Sequence, residues 1–230
     1  MTLAVNGLIA HLPGRDRRSL LAACQAVPLT PGAVLCETGA VTRHAYFPNE
    51  GVISLMAAID GEPGLEVGRV GREGMLGVHL ALGVTVAPLH AMVQAAGSAW
   101  RIGSASFRVK LAASPALHRA LQRYLYVLME QMTTSACCTR FHRIEPRLAR
   151  WLLVSHDRAG ADTFRLTHVG LAAMLGVRRV GITVAAGSLQ RRGIVRYCRG
   201  VIEVLDRAGL EAAACGCYAA ERAAYQRVIG

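Results

Sequence analysis

Residues 166–177 of this chain, Leu-Thr-His-Val-Gly-Leu-Ala-Ala-Met-Leu-Gly-Val, predict a short helix that ends at a glycine. Thr167 precedes the apolar run and has the side chain of an N-cap, whose oxygen can accept from free backbone N–H groups. Gly176 tolerates the left-handed backbone of a tight turn, so we expect the helix to end there. The residues of its inward face recur at helical spacing: Leu171, Ala172 and Leu175.

A second helix is expected from about Arg178 to Gln190. Its inward stripe would consist of Ile182, Ala185, Ala186 and Leu189. Two helices joined by a glycine turn form the helix-turn-helix arrangement, whose second helix enters the major groove of DNA. This pattern alone is weak evidence, because any helical hairpin shows it.

The charge pattern strengthens the interpretation. The formal net charge is +11, and residues 143–230 contain 14 Lys and Arg against 7 Asp and Glu. No acidic residue lies between Thr163 and Ile202, whereas this stretch contains seven arginines. A solvated surface normally mixes both signs, so a stretch of one sign favours a polyanionic partner, either nucleic acid or an anionic membrane.

The two arginines at the start of the second helix are the main candidates for reading bases. Arg178 and Arg179 lie at the end of the helix that meets base edges, where a guanidinium group can donate two hydrogen bonds to guanine. Thr183 lies one turn further and could reach a phosphate or a thymine methyl group. Thr167 and His168, at the start of the first helix, are candidates for phosphate contacts.

Residues 193–204 follow the second helix and predict a β-hairpin that turns at Arg199-Gly200. Such a hairpin would be the wing of a winged helix. We expect Arg196 and Arg199 to lie along the DNA backbone.

Upstream, Ile144–Ala159 predicts a helix with Pro146 in its first turn, where proline is tolerated. A longer helix is predicted from Ser114 to about Phe141, with a hinge near Phe141–Arg143. Its length of about 28 residues corresponds to roughly 42 Å, long for a helix covered by one small domain. We expect it to pair with its twin, and the alternative is one more core helix.

The dimer seam of this long helix would follow a 4-3-4 spacing, which is typical of a and d positions: Leu121, Leu125, Leu128 and Met132. Leu117 and Tyr124 lie beside the seam and are expected to pack on the N-terminal domain. That domain, from Val27 to about Ile102, consists of short β-like runs separated by Gly and Pro, as in a sandwich or small barrel. We expect turns at Pro48–Gly51 and at Gly97.

These features together resemble the Crp–Fnr family of bacterial transcription regulators. The similarity runs from about Leu20 to Leu210 and is most specific in Arg147–Leu205. It implies an α+β chain with three parts: a β-roll sensor domain of double-stranded β-helix or jelly-roll type (residues 1–113), a dimerisation helix (114–142) and a winged helix-turn-helix domain (143–230). It also implies a homodimer on double-stranded DNA, with RNA polymerase as a further partner.

Within this resemblance, Arg178, Arg179 and Thr183 occupy recognition-helix positions. Many members carry a glutamate after the first recognition arginine, and this chain has Val180, so the family's common target sequence is not implied.

The sensor half departs further from the family. Members that bind cyclic AMP use a Gly-Glu-Leu segment for the ribose and an Arg-Ser-Ala segment for the phosphate. Here the corresponding residues are Gly74-Met75-Leu76 and Leu89-His90-Ala91. A buried phosphate without a charged partner would cost several kcal/mol, so we expect no cyclic AMP. Met75, Leu89 and His90 remain the candidate ligand-binding residues, with packing for Met75 and an ordinary satisfied histidine for His90 as the alternatives.

The seven cysteines do not predict a disulfide framework, and no cofactor is expected from them. Cys215 and Cys217 supply two ligands where zinc and iron–sulfur sites use four, so we expect no metal there. Cys137 and Cys138 are adjacent in a helix, with side chains about 100° apart, and could act as a redox sensor. A haem, which needs one His or Cys ligand, stays open.

Other classes find less support. The chain lacks a Gly-x-Ser-x-Gly elbow, a phosphate-binding Gly-Lys-Ser/Thr loop and a His-Glu-x-x-His pair, so no enzyme is predicted. No apolar run of about 18 residues is free of charge, and no basic leader precedes the apolar start, so we expect a cytoplasmic protein without a membrane partner. The alternative is a sensor module that docks on a protein partner through its basic C-terminal domain.

Overall fold

The computed structural model describes residues 6–58, 64–159 and 162–230. The chain divides into two units. The first comprises Met1–Leu55, Arg69–Met129 and Arg227–Gly230, and the second comprises Met56–Gly68 and Glu130–Gln226. Each unit has its own cluster of buried apolar side chains.

The N-terminal sheet confirms the β-rich prediction for this part of the chain. Its strands are β1 (Gln25–Leu29), β2 (Val34–Cys36), β3 (His44–Ala57), β4 (Leu65–Val70) and β5 (His90–Gly103). Four of them run in the order β1-β5-β3-β4, and β2 also pairs with β5. The register between β1 and β5 is antiparallel, with Gln25 opposite Arg101 and Leu29 opposite Gly97.

Two predicted turns, at residues 48–51 and at Gly97, are wrong, because β3 and β5 each continue through them. A side chain on Gly97 would place its Cβ 2.2 Å from the backbone oxygen of Glu50, and one on Gly51 would place it 2.7 Å from that of Ala95. Gly51 also has a φ of 85°. At these glycines the backbones of two strands approach closely. From the sequence alone, a glycine at a close approach cannot be distinguished from a glycine in a turn.

The first unit also contains short helices: α1 (Gly7–Ala10), α2 (Gly14–Leu21), a 3-10 helix (Val78–Leu82) and α3 (Ser104–Ala113). The sequence predicts a short helix from Asp16 to Cys24, and α2 confirms a helix in this region. The sequence interpretation did not include α1 or α3.

The long helix is confirmed as α4 (Pro115–Phe141), 27 residues in length. Ser114 caps it, since its Oγ accepts a hydrogen bond from the backbone N–H of Leu117 at 3.1 Å. Leu117 and Tyr124 are buried with Phe47 and Phe107 in the first unit's core, as predicted.

The helices of the second unit that follow α4 are α5 (Ile144–Ala159), α6 (His168–Leu175), α7 (Arg179–Arg191), α8 (Arg207–Ala213) and α9 (Cys217–Val228). The bounds of α5 match the prediction, and its buried side chains include Leu148, Trp151 and Leu152. They form one cluster with the inward faces of α6 and α7. No helix was predicted for the region of α8 and α9.

A three-stranded sheet completes this unit, with β6 (Thr163–Arg165), β7 (Val195–Cys198) and β8 (Val201–Val204) in the order β6-β8-β7. The hairpin turns at Arg199 and Gly200, which have φ values of 48° and 77°. Both residues therefore adopt the left-handed backbone of a tight hairpin turn, as the sequence predicted. The third strand, β6, was not predicted.

Across the described residues, no single helix has both the length and the apolar composition of a membrane span. Only α6 and α7 taken together meet these criteria, as a sharply bent pair.

Candidate nucleic-acid interface

The pair α6 and α7 has helix-turn-helix geometry. The two helix axes are bent by 109°, within the roughly 90–120° typical of this motif. Thr167 caps α6, because its Oγ1 accepts from the backbone N–H of Gly170 at 3.0 Å. Gly176 ends α6 with a φ of 60°. Both predicted end signals are confirmed.

The inward face of α7 consists of the four predicted residues, Ile182, Ala185, Ala186 and Leu189, all buried. Two of the four are alanines, whose small side chains let α7 pack closely on its neighbours. The face of α6 includes the predicted Leu171, Ala172 and Leu175, together with Met174. These contacts fix which face of α7 points to solvent.

The outward face of α7 begins with two exposed arginines. Arg178 is the N-cap residue and Arg179 the first helical residue, and no ion pair joins either to a carboxylate in the described parts of the chain. Val180 and Val184 lie next to them with 66% and 64% of their surface exposed. Large apolar side chains this exposed on a helix with a buried opposite face mark it as a candidate contact surface.

His168 is placed differently from its prediction as a phosphate contact. Its ring stacks on Tyr197 with centroids 4.2 Å apart, and Nδ1 lies 3.0 Å from Thr183 Oγ1. The Thr183 hydroxyl donates to the backbone oxygen of Arg179 at 3.2 Å, so its oxygen is the acceptor for His168 Nδ1–H. The other ring nitrogen, Nε2, is buried without a partner among the described residues. The ring therefore contacts Thr183 within the motif, and a phosphate contact by His168 stays a prediction.

The electrostatic environment of His168 agrees with a neutral ring. Partial burial, followed by the positive charge of Arg179, lowers the pKa of His168 below its ordinary value of 6.5. Neutral imidazole donates through one nitrogen only, which matches the single hydrogen bond observed.

The wing arginines differ from each other. Arg196 Nε donates to Glu203 Oε2 at 2.9 Å, across the β7–β8 pair. Arg199 is exposed at the turn, without an ion pair among the described residues. Arg192, in the same acid-free stretch, pairs with Glu145 of α5 at 2.9 Å. Two of the seven arginines in the acid-free stretch thus pair with acidic residues from outside it. The amino-acid composition could not show this pairing.

The predicted dimer seam on α4 also needs correction. Leu121 and Leu128 are buried in the first unit's own core, so they are not available to a second chain. Met132 is 41% exposed, Met129, which was not in the predicted set, is 67% exposed, and Leu125 is half-buried. At about 100° per residue, the apolar stripe of α4 is wide enough for one half to pack internally and the other to face outward. Heptad spacing alone did not separate the two halves.

The three candidate ligand residues of the sensor half make internal contacts. Met75 is buried in the core, and Leu89 packs partly buried against β-sheet side chains. His90 Nδ1 lies 2.7 Å from Glu37 Oε2. A carboxylate at this position repels an anion, so the arrangement does not resemble a phosphate site.

One group of residues was not recognised as a unit in the sequence. Cys138, His142, Cys215 and Cys217 place one ligand atom each within 4.8 Å of one another. The sequence interpretation counted only Cys215 and Cys217 as possible ligands, and the structure places two further possible ligand atoms beside them. The available signal was the Cys138-x-x-x-His142 spacing, which puts both side chains on one face of a helix.

Cys138 Sγ and Cys215 Sγ lie 3.6 Å apart, within hydrogen-bonding distance for sulfur. This hydrogen bond lowers the pKa of Cys138, and the same bond, with burial, raises the pKa of Cys215. Cys137, which precedes Cys138 in α4, is exposed.

Comparison with known proteins places this geometry in a family context. Residues 146–213 match the family model described as a Crp-like helix-turn-helix domain. Among solved structures, FixK2 from Bradyrhizobium japonicum has a TM-score of 0.70 at 13% identity, covering 84% of this chain and 98% of its own. The c-di-GMP-responsive global regulator CLP from Xanthomonas campestris has a TM-score of 0.67 at 16% identity, covering 84% and 99%.

TTHA1359, a transcriptional regulator of the CRP/FNR family from Thermus thermophilus, has a TM-score of 0.67 at 24% identity, covering 83% of this chain and 98% of its own. A search of curated protein sequences finds no match. The fold and motif define a helix-turn-helix protein with an N-terminal antiparallel sheet. Its C-terminal part matches a Crp-like helix-turn-helix domain, and more than four fifths of the chain has the same fold as these solved regulators.

Proposed function

We propose that this chain is a transcription regulator that binds a specific sequence of double-stranded DNA as a homodimer. The observation that carries the proposal is the exposed pair Arg178 and Arg179 at the N-terminus of α7, free of carboxylate partners in the described chain. The buried face of α7 leaves these side chains directed to solvent, at the helix end that meets base edges in this motif.

The residues of the interface would divide into two roles. Arg178 and Arg179 read base edges, most favourably guanine, by paired hydrogen bonds. Thr183 contributes its methyl group, since its hydroxyl is engaged by Arg179 and His168. Thr167 and the wing residue Arg199 contact phosphate groups, and Arg196 does so less strongly because Glu203 neutralises it.

The valine at position 180 predicts how the DNA sequence bound by this chain differs from the common target sequence of the family. A glutamate at this position accepts a hydrogen bond from the amino group of cytosine, and a valine cannot. An exposed valine instead favours contact with the methyl group of thymine. We therefore propose a thymine-containing half-site opposite this position.

The homodimer would form along the exposed half of the α4 stripe, with Leu125, Met129 and Met132 in place of the full predicted seam. A two-fold dimer of this kind reads two half-sites about 34 Å apart, one helical turn of DNA. We propose the cytoplasm as its location and RNA polymerase as a further partner, following the family resemblance.

The proposal for the sensor half is that it does not bind cyclic AMP. Met75 and Leu89 provide no charge for a phosphate or ribose, and the His90–Glu37 pair adds a carboxylate. A buried cyclic phosphate would therefore lack the cationic partner that offsets its desolvation.

Selection from a random pool of DNA duplexes tests this function. We expect the full-length chain to enrich a nearly palindromic sequence with half-sites about 10 base pairs apart. Arg179→Ala should lose preference at one base pair in each half-site. Arg17→Ala, which removes the same charge from the exposed surface of α2, should enrich the wild-type sequence.

Two outcomes would contradict the proposal. One is a pool with no enriched sequence. The other is an unchanged preference in Arg179→Ala, which would favour the alternative that the basic domain docks on a protein.

A further inference from the structure

The Cys138–His142–Cys215–Cys217 group lies apart from the proposed DNA contacts in the chain. Cys138 is on α4, and His142 follows the last residue of that helix. Cys215 lies between α8 and α9, and Cys217 is the first residue of α9. The three cysteines are buried and form a cluster of their own.

Two of the distances within the group match the edges of a tetrahedron around one metal ion. Bond lengths of about 2.3 Å to sulfur and 2.0–2.1 Å to nitrogen give edges of about 3.8 Å between two sulfurs and about 3.6 Å between sulfur and nitrogen. Cys138 Sγ and Cys215 Sγ are 3.6 Å apart, and Cys217 Sγ and His142 Nδ1 are 3.5 Å apart. All four ligand atoms lie within 4.8 Å of one another.

Regular backbone structure sets these positions. Cys138 and His142 are four residues apart, and the backbone N–H of His142 donates to the oxygen of Cys138 at 3.1 Å, so the helical turn continues through both. The backbone N–H of Cys215 donates to the oxygen of Pro146 at 3.4 Å. An ion pair between Arg150 of α5 and Glu221 of α9 lies beside the group. The ligands are therefore arranged before any ion binds.

The surroundings also suit a thiolate site. The positive charges of Arg147 and Arg150 interact with Cys138. Zn²⁺ with three thiolates and a neutral imidazole has a net charge of −1, which these cations offset.

We propose that Cys138, His142, Cys215 and Cys217 bind one Zn²⁺ ion in a closed tetrahedral site. Mg²⁺ and Ca²⁺ take oxygen ligands, and the group has none. A four-iron cluster would bond each ligand to a different iron atom and would hold the sulfurs farther apart. A disulfide needs sulfurs about 2.05 Å apart and would leave the third cysteine and the histidine unused.

The site would link the two ends of the DNA-binding domain. Residues 146–213, which match the Crp-like helix-turn-helix model, all lie between His142 and Cys215 in the chain. One ion therefore closes a loop that contains the whole motif, and binding free energy at such a site contributes to folding. His142 also lies in the predicted hinge between α4 and α5, so metal binding would fix the backbone there.

Metal binding is tested on the purified, reduced full-length chain without DNA, so the result is independent of the proposed function. We expect about one zinc ion per chain by elemental analysis. After removal of zinc, Co²⁺ should bind with the same stoichiometry and give the intense visible bands of tetrahedral cobalt and the near-ultraviolet bands of cobalt thiolates. The melting temperature of the apo chain should rise with added Zn²⁺ and reach its plateau at one equivalent.

Matched variants locate the site. Cys217→Ser should weaken Co²⁺ binding by more than about 100-fold, because loss of even an outer partner costs about 10–100-fold. Cys137→Ser changes an exposed neighbour and should bind as wild type. If Cys217→Ser does not fold, His142→Ala at the surface end of the site should shift the cobalt visible bands while keeping the thiolate bands.

The proposal is overturned if the reduced apo chain binds no stoichiometric Co²⁺. It is also overturned if Cys137→Ser and Cys217→Ser lose binding equally, or if mass spectrometry of the purified chain, alkylated before any reductant is added, finds a Cys138–Cys215 disulfide.

Discussion

The candidate binding residues of the helix-turn-helix region are exposed, whereas those of the N-terminal part of the chain make internal contacts. At the start of α7, Arg178 and Arg179 are exposed and have no carboxylate partner in the described chain. In the sheet, Met75 is part of the core and His90 contacts Glu37. The arginines of α7 are therefore available to an outside partner, whereas the candidate residues of the N-terminal part already contact other residues of the chain. The comparison indicates that binding depends on the second unit, and four predictions test it.

The largest effect is expected in the sheet, from Gly97→Ala. The added Cβ would lie 2.2 Å from the backbone oxygen of Glu50, and strands cannot separate locally without losing hydrogen bonds. We expect the free energy of unfolding in urea to fall by about 3 kcal/mol. Gly103→Ala in the same strand has open space and should change it by less than about 1 kcal/mol. Equal effects would contradict the close approach of β3 and β5.

Arg179→Ala should weaken binding to the selected duplex by about 1–3 kcal/mol, which corresponds to roughly 5- to 150-fold in Kd. Binding to random duplex should change much less, because base contacts carry the preference. His90→Ala, in the sheet, should leave both affinities unchanged. Fluorescence anisotropy with labelled duplexes measures the affinities of the wild-type chain and of both variants. A larger loss of affinity from His90→Ala than from Arg179→Ala would contradict the comparison.

The lowered pKa of His168 predicts a pH dependence of stability. The unfolded chain, with an ordinary histidine pKa near 6.5, takes up the proton before the folded chain does. The free energy of unfolding should therefore fall as pH falls from about 6.5 toward the lower folded pKa, and be unaffected by this group at higher pH.

His168→Phe keeps an aromatic ring against Tyr197 and should reduce the slope between pH 6.5 and 5 in denaturant titrations. His118→Asn changes an exposed histidine of α4 and serves as the control. An unchanged slope in His168→Phe would show that this ring titrates freely.

The smallest effect is expected from Glu203→Gln. Removing this carboxylate frees Arg196, so affinity for any duplex should rise about two- to fivefold, and the slope of log K against log salt should steepen by about 0.9 for one added phosphate contact. Glu211→Gln, on α8, controls for the change in net charge. Unaltered affinity in Glu203→Gln would mean that Arg196 lies outside the DNA contact.

Local signals explain why the helix-turn-helix could be predicted. Thr167, Gly176 and the stripe from Ile182 to Leu189 each act within a few residues, and the bounds of α6 and α7 followed from them. The same holds for the Arg199-Gly200 turn.

Features that depend on distant parts of the chain were missed. Gly97 resembled a turn because its neighbour, Glu50, is far away in sequence. Leu121 and Leu128 fitted a dimer seam, and only the packed core shows that they face inward. The ligand group joins Cys138 to Cys215, which are separated by the whole helix-turn-helix domain.

Salt dependence of duplex binding tests the central claim most directly. If the dimer contacts roughly 6–10 phosphate groups, affinity should fall by about 10³–10⁵ between 50 and 200 mM salt, and the wild-type preference for the selected sequence should disappear in the Arg178→Ala/Arg179→Ala variant. Duplex affinity that does not depend on salt, or a double variant that retains the full sequence preference, would contradict DNA recognition by α7.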